Sequence, residues 1–358
     1  MSNNDVSKVK RASEGVNMQI EKHSFLQEFG RKVAKFPLKV TEEWNRVLHR
    51  GFTFRGLDRW VRGMSHYEYE RYRWHKGIVI RKDGRVNVPT LEFSLADGCN
   101  LKCEFCVHLN PFRTGFVSKE TLIDSFEKWS RKIATRNVML IGGEPLLNPG
   151  IAEIIIAVQR CWPRSQRRIL TNGVLLPRVS DDVLRVFHKY NVFVGISEHM
   201  DTPEHRENLK QSLSRLRQFR ILYSVNESFR GWHNGRDVDA YGVPVPCNSN
   251  PETAHQLCCA KHCPTIQGDR LYSCSHLANM IAAVQEGAIG PEWRTVLAHR
   301  PVTLESSPEE IRNYLRAEPM PECSVCPETY KTTKARQLSM EEVQQIKHHI
   351  RERHQKVA

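Results

Sequence analysis

From residue 90 to residue 228 the chain alternates short apolar runs with segments whose apolar residues recur every three or four positions. The apolar runs predict β-strands, and the helical periodicity predicts amphipathic α-helices. The predicted strands are 90–95, 137–143, 167–173, 192–199 and 220–228, and the predicted helices are 119–133, 151–162, 180–190 and 205–219. Strands that alternate with helices indicate right-handed βαβ units on a parallel sheet, which is the α/β class.

The segments on either side follow other patterns. Residues 18–75 have helical apolar spacing, and residues 76–88 alternate around Asp83-Gly84 as a β-hairpin does. Residues 231–335 are rich in predicted loops and contain most of the cysteines. We therefore divide the chain into a helical N-terminal region with a hairpin (1–88), an α/β core (89–230), a loop-rich extension (231–335) and a basic C-terminal helix (336–358).

Small or polar residues stand where several predicted strands end. They are Gly142 and Gly143, Asn172 and Gly173, and Ser197. In parallel α/β folds the functional groups gather at the C-terminal ends of the strands. The sequence therefore predicts a functional site at that edge of the sheet.

The composition argues against a membrane-spanning protein and against a secreted one. Hydrophobic residues make up 40% of 358 residues, and no apolar run approaches the length of about eighteen residues that spans a membrane. The N-terminus is polar and lacks the apolar segment of a signal peptide. Eleven cysteines without a secretion signal are typical of a reducing compartment, where thiols bind metals. We therefore expect a cytoplasmic protein with metal-binding cysteines and without a disulfide framework.

The net charge of +13 is concentrated near the N-terminus, where residues 1–88 carry 19 Lys and Arg against 10 Asp and Glu. Residues 46–63 mix arginines with aromatic side chains, a composition that could bind nucleic acid. Two other interpretations stay open. The segment could pack on the core with its arginines solvated, or it could dock an acidic electron donor of the flavodoxin or ferredoxin type.

Three cysteines, Cys99, Cys103 and Cys106, directly follow the strand at 90–95. Three thiolates can hold three irons of a [4Fe–4S] cluster and leave the fourth iron open to a cofactor. A zinc site is the alternative, but a structural zinc needs four ligands and no fourth ligand lies close in the sequence.

The spacing C-x3-C-x2-C with Phe105 before its last cysteine, GGEP at 142–145, TNG at 171–173 and Ser197 occur in this order. Together, over residues 90–228, they resemble the radical S-adenosylmethionine (radical SAM) superfamily. The resemblance implies a partial (β/α)6 barrel, similar to a TIM barrel. It also implies reductive cleavage of S-adenosylmethionine at a [4Fe–4S] cluster, giving a 5′-deoxyadenosyl radical that removes a hydrogen atom from a substrate.

The resemblance further implies which residues contact the cofactor. The turn after the second strand would hold the methionine amino end, the backbone before the third cysteine would contact adenine, and two strand-end residues would reach the ribose or the carboxylate. In that order these residues are Gly142, Gly143 and Glu144, then Phe105, then Asn172 and Ser197.

The extension contains a second group of cysteines. Gly268-Asp269 can form a two-residue hairpin turn, which would place Cys263 opposite Cys274. With the C-x2-C pair Cys323 and Cys326, the segment resembles the SPASM and twitch extensions that hold auxiliary clusters. No cysteine follows Cys326, so we expect one auxiliary cluster on these four ligands. Cys258 or Cys259 could replace one of them, and a structural zinc is the alternative.

The resemblance leaves the substrate open. Twitch-type relatives often oxidise carbohydrate-like molecules, and no winged-helix peptide-recognition domain is apparent before residue 90. We therefore expect a small polar substrate that is oxidised. The alternatives are the maturation of a ribosomal peptide and an RNA-directed modification.

Overall fold

The computed structural model describes residues 66–258, 260–329 and 332–357, and these residues belong to one compact unit. Most of the predicted N-terminal helical region, including the basic segment 46–63, lies outside the described residues. Helix α1 (His66–Gly77) is the part of that region that the structure describes. The predicted hairpin follows it as β1 (Val79–Ile80) antiparallel to the start of β2 (Val86–Ser94), and it is confirmed.

The predicted βαβ series is confirmed. After β2 it consists of α2 (Lys119–Ser130), β3 (Ile133–Ile141), α3 (Ile151–Cys161), β4 (Gln166–Thr171), α4 (Asp181–Lys189), β5 (Phe193–Ser197), α5 (Pro203–Gln218) and β6 (Tyr223–Asn226). Side chains cap three of the helices: Ser118, Ser180 and Thr202 each accept a hydrogen bond from a backbone N–H of the first turn. Strands β2 to β6 are parallel and lie side by side in chain order.

The extension supplies the remaining strands of this sheet. Its hairpin of β10 (Thr265–Gln267) and β11 (Arg270–Tyr272) places β10 parallel to β2, and β12 (Val302–Thr303) continues the edge. The core alone therefore provides five parallel strands, and the sixth comes from the extension. The arrangement is an α/β partial barrel.

Helices α2 to α5 cover one face of the sheet. Phe93 of β2 contacts Phe126 of α2 edge-on at 4.6 Å between ring centroids, within a continuous buried cluster. Glu92 and Ser94 alternate with these apolar positions and therefore point to the other face, which forms the interior of the partial barrel. That face is the one the extension approaches.

The extension combines long loops with short regular elements. Residues 231–335 contain α6 (Pro251–Leu257), α7 (Ser275–Gln285) and α8 (Pro308–Arg316), and the basic helix predicted at 336–358 is present as α9 (Met340–Val357). Five short strands accompany them: β7 (Trp232–His233), β8 (Asp237–Val238), β9 (Pro244–Val245), β12 and β13 (Thr332–Thr333). None of the described helices combines the length and the apolar character that a membrane crossing requires.

The extension and the C-terminal helix share a second hydrophobic cluster. Trp293 and Ile281 are buried in it together with Val343 and Ile346 of α9. The boundary predicted at residue 335 therefore does not separate two cores. An ion pair also joins the α/β core to the extension, since the buried Arg113 donates to both carboxylate oxygens of Glu286 at 2.9 and 2.7 Å.

Candidate active site

The loop that carries the three cysteines lies against the turn after β3. The backbone N–H of Gly143 donates to the carbonyl of Ala96 at 2.7 Å, and that of Glu144 donates to Gly98 at 3.1 Å. A Cβ atom on Gly142, whose φ is 137°, would lie 2.5 Å from the Ala96 oxygen, and one on Gly143 would lie 1.9 Å from the Gly98 oxygen. The two glycines are therefore required for the contact between this turn and the cysteine loop.

Amide groups face the first two sulfurs. Cys99 Sγ accepts from the backbone of Leu101 at 3.4 Å and from Asn172 Nδ2 at 3.6 Å. Cys103 Sγ accepts from Gln337 Nε2 at 3.1 Å. N–H donors directed at sulfur stabilise a thiolate, which is the form that binds metal.

Negative charges on neighbouring thiols also affect the pKa of Cys99 and Cys103. Burial raises the pKa of Cys99 to about 11 and that of Cys103 to about 12, and a negative charge on Cys106 raises both further. Clustered thiolates that repel one another need a positive group that replaces their protons, and an iron–sulfur cluster is such a group. The three side chains therefore fit a cluster by their chemistry.

Zinc binds sulfur at about 2.3 Å, so its ligands must converge tightly. Within the part of the chain that the structure describes, no three His, Cys, Asp or Glu side chains converge in this way.

The C-terminal segment supports the cysteine loop from outside. Phe105, between the second and third cysteines, is half-buried and has a φ of 58°, so the loop turns sharply there. Next to it, the Glu104 N–H donates to the Arg336 carbonyl at 2.9 Å, and the Leu338 N–H donates to the Lys102 carbonyl at 2.9 Å. No motif in the sequence indicated that residues 336–338 belong to the site.

Glu144 joins the two turns predicted to contact the cofactor. Its carboxylate is fully buried and accepts from Thr171 Oγ1 at 2.7 Å, from the Asn172 backbone at 2.9 Å and from the Leu146 backbone at 3.1 Å. Burial raises its pKa to about 7, although these hydrogen bonds lower it. The side chain of Glu144 therefore holds GGEP against TNG.

The strand-end residues Asn172 and Ser197 lie at the same edge of the sheet. Asn172 Nδ2 donates to Asn100 Oδ1 at 2.8 Å, which ties the end of β4 to the cysteine loop. Ser197 is the half-buried last residue of β5 and stands in register with Asn226 of β6. The six predicted cofactor residues thus surround the C-terminal ends of β2 to β5, and their roles stay predictions.

In the extension, four cysteines from three segments line one cavity: Cys258, Cys274, Cys323 and Cys326. Burial raises the pKa of Cys274, Cys323 and Cys326, and the charge of Cys258 contributes to the rise at Cys274 and Cys326. Cys274 is the N-cap residue of α7 and makes no side-chain hydrogen bond to the first turn of that helix. This set fits an auxiliary cluster by its chemistry.

The predicted hairpin is confirmed, since Gln267 pairs with Arg270 across the Gly268-Asp269 turn. Its ladder ends at Thr265, before it reaches Cys263. Cys263 hydrogen-bonds to the carboxyl of Glu92 in β2, and the charges of Cys274 and Cys258 also act on it.

The extension contains two more cysteines, Cys259 and Cys247. Cys259 lies outside the described residues. The backbone N–H of Cys247, a residue without a role in the sequence analysis, donates to the Val325 carbonyl at 3.1 Å, and the charge of Cys247 acts on Cys326.

Glu318, an acid that lines the same cavity, was not predicted from the sequence. Glu318 lies within 3.3 Å of His75 Nε2 and within 3.2 Å of the Nε2 atoms of His255 and His262. Burial raises the pKa of Glu318, but the hydrogen bonds from His255 and His262 outweigh this effect and hold it at about 2. No sequence motif links these residues, which are up to 243 positions apart.

Three further side chains lie next to the cysteine loop. Arg236 donates to the Cys106 carbonyl, and His108 hydrogen-bonds to the backbone of Gly142. Burial, with smaller effects of the charges of His108 and Arg236, lowers the pKa of His276 to about 3. The sequence analysis assigned no role to these three residues.

Comparison with known proteins agrees with this geometry. Residues 93–231 match the family model described as Radical SAM superfamily. The GTP 3′,8-cyclase of Clostridium acetobutylicum is 34% identical over 110 residues, 29% of this chain and 33% of that protein. That of Streptomyces coelicolor is 30% identical over 107 residues, 29% of this chain and 31% of that protein. The chain thus spans about a third of the length of the curated relatives it matches.

Solved structures of low similarity include BtrN in complex with AdoMet and 2-DOIA. It is 14% identical with a TM-score of 0.39, and the match covers 70% of this chain and 98% of that one. Streptococcus suis SuiB bound to precursor peptide SuiA is 13% identical with a TM-score of 0.32, over 74% and 76% of the two chains. Likeness at this level does not indicate a shared substrate. The family match, the three-cysteine loop and the GGEP turn packed against it agree, and residues 93–231 of this chain belong to the radical SAM superfamily.

Proposed function

We propose that this chain holds a [4Fe–4S] cluster on Cys99, Cys103 and Cys106, binds S-adenosylmethionine beside it, and oxidises a small polar, carbohydrate-like molecule by removing a hydrogen atom. When bound, the cluster and S-adenosylmethionine together supply the radical chemistry. The chain itself positions these groups and excludes water. The observation that carries the proposal is the coupling of three thiols on one loop, with N–H donors directed at two of the sulfurs.

The turn after β3 would hold the methionine end of the cofactor. The N–H groups of Gly143 and Glu144 already donate to the cysteine loop. An ammonium group donates hydrogen bonds, so the carbonyl oxygens of this turn are the groups suited to receive it. Phe105, Asn172 and Ser197 are proposed to contact adenine, ribose or carboxylate from the neighbouring loop and strand ends.

In the extension, we propose that Cys258, Cys274, Cys323 and Cys326 hold one auxiliary cluster. This set replaces Cys263 with Cys258, because Cys258 lines the shared cavity whereas Cys263 bonds to Glu92. A cluster there would offer an acceptor for the electron released when the substrate is oxidised. An external donor of the flavodoxin or ferredoxin type would supply the electron that starts the reaction.

Reductive cleavage of S-adenosylmethionine tests the core of the proposal. Anaerobically reconstituted, dithionite-reduced protein should form 5′-deoxyadenosine and methionine, measured by liquid chromatography with mass spectrometry. Replacing Cys99, Cys103 and Cys106 by alanine should abolish both products. Cys161→Ala is the matched control, because Cys161 ends α3 on the helical side of the sheet. Undiminished cleavage in the triple variant would contradict the assignment.

The substrate class needs a second measurement. Deuterated sugars, sugar acids and sugar phosphates should transfer deuterium into 5′-deoxyadenosine, whereas deuterated peptides should not. Transfer from a peptide would favour the peptide-maturation alternative. The RNA alternative depends on residues 46–63, which lie outside the described residues, and it stays a prediction.

A further inference from the structure

Arg236 has a charge that the described residues leave incompletely paired. The residue is 5% exposed, and one terminal N–H donates to the carbonyl of Cys106. Its Nε atom is buried and has no hydrogen-bond partner among the described residues. A buried N–H without an acceptor is destabilising, so an acceptor from outside the chain is expected at this position.

The side chains near Arg236 offer it little negative charge. His276, 7% exposed, is the second residue of α7, and burial lowers its pKa to about 3, so its imidazole is neutral at pH 7. The carboxylate whose charge reaches Arg236 belongs to Glu104, which makes two hydrogen bonds of 2.8 Å to Arg336. Arg236 therefore shares this carboxylate with another arginine.

These basic residues meet where the cysteine loop contacts the extension. His108 is on the cysteine loop and bonds to Gly142, whereas Arg236 and His276 belong to the extension. A Cβ atom on Gly235 would lie 2.9 Å from Val107 Cγ1 and 4.0 Å from His276 Cε1, so glycine permits this close approach. The basic group thus lies beside the turn at which we propose the cofactor binds.

There is space for a ligand next to Arg236. It borders a cavity of about 360 Å³, also lined by Cys103 and Phe105, a size that suits a small molecule. Two carboxylates line the same cavity, those of Glu104 and Glu342, and both pair with Arg336, the latter at 2.6 Å.

We propose that Arg236, which borders this cavity, binds an anionic group of the substrate, a carboxylate or a phosphate. The proposal rests on the proposed function and narrows its substrate class from a carbohydrate-like molecule to an acidic one. A guanidinium suits this role because its parallel N–H groups match the oxygens of carboxylate and phosphate. The carboxylate of S-adenosylmethionine is the other source of such a group, and the experiment separates the two.

Equilibrium binding to the holoenzyme tests the proposal without turnover. Reconstituted protein saturated with S-adenosylmethionine would be titrated calorimetrically with inorganic phosphate, glucose 6-phosphate, glucuronate and glucose. The acidic probes should bind at least about tenfold more tightly than glucose, as expected for charge-assisted hydrogen bonds. Arg236→Gln should remove this preference, and Arg236→Lys should keep part of it. Arg230→Gln is the control, because Arg230 is an exposed arginine paired with Glu227.

Three results would overturn the proposal. The first is equal binding of acidic and neutral probes to the wild type, or a preference that persists in Arg236→Gln. The second is an equal loss of affinity for S-adenosylmethionine itself, which would assign Arg236 to the cofactor carboxylate. The third is loss of iron in Arg236→Lys, which would make the residue a support of the cluster loop. None of these results depends on cleavage of S-adenosylmethionine, so failure here is distinguishable from failure of the proposed function.

Discussion

The carbonyl oxygen of Gly98 lies 1.9 Å from the point that a Cβ atom on Gly143 would occupy. The same oxygen accepts a hydrogen bond from the backbone of Glu144 at 3.1 Å. The turn after β3 and the loop that carries the three cysteines are therefore in direct backbone contact. A change in one must displace the other.

Gly143→Ala should consequently lower the iron content of the reconstituted protein as well as its affinity for S-adenosylmethionine. The added methyl group meets backbone atoms that cannot rotate away, so the cysteine loop has to move. Iron analysis and equilibrium binding would measure the two effects. Gly231→Ala is the control, since a Cβ atom there meets nothing within 4 Å. A variant with full iron content and weakened cofactor binding alone would contradict this account.

The auxiliary site predicts an iron count that depends on which cysteine is changed. Wild-type protein should hold about eight irons per chain, two four-iron clusters. Cys258→Ala should reduce the count to about four, because Cys258 lines the cavity shared with Cys274. Cys263→Ala should keep about eight, because its sulfur bonds to Glu92. The reverse pattern would restore the assignment made from the sequence, and one zinc in place of four irons would limit the site to a structural role.

Gln337 should raise the reduction potential of the cluster that we propose in the core. Its side-chain amide donates to Cys103 Sγ at 3.1 Å, and hydrogen bonds to the sulfurs help to set the potential of an iron–sulfur cluster. The positive end of an N–H stabilises the added electron, so Gln337→Leu should lower the reduction potential. A redox titration followed by electron paramagnetic resonance would measure it. Gln345→Leu is the control, because that exposed glutamine contacts Glu341 in α9. An unchanged or higher potential in Gln337→Leu would contradict the role.

Glu144 should make stability depend on pH. Burial raises the pKa of its carboxyl from 4.5 to about 7 in the folded protein. Between these values the unfolded chain has lost the proton and the folded chain keeps it, so stability is greatest below pH 4.5 and falls as the pH rises towards 7. The loss attributable to this group is up to about 3 kcal/mol.

Urea denaturation of the anaerobic holoenzyme between pH 5.5 and 8 would measure this slope. Buried Glu92 contributes in the same direction and buried histidines such as His276 in the opposite one, so the test is the difference between variants: the stability of Glu144→Gln should fall less, or rise more, with pH than that of the wild type. A slope identical to that of the wild type would show that Glu144 is ionised throughout this range.

The sequence by itself determined the elements and the cluster motif. The strands and helices of residues 90–228 lie within a few residues of their predicted bounds, because the side-chain periodicity that specifies them is local. The hairpin register at Gly268-Asp269 was also predictable, since a two-residue turn sets which residues pair. The three-cysteine loop needed only its spacing and its place after a strand.

Only the tertiary structure decided which distant segments complete the site. The sixth parallel strand comes from β10, and Gln337 reaches a cysteine 234 positions earlier in the chain. The cavity that Cys258 shares with Cys274, the contact of Gly143 with Gly98 and the burial of Arg236 are decisions of the same kind. Each depends on how packed surfaces bring separated residues together, and such packing has no period or fixed spacing in the sequence. Local patterns therefore specified the cluster-binding loop, and long-range packing specified what supports it and which charges surround it.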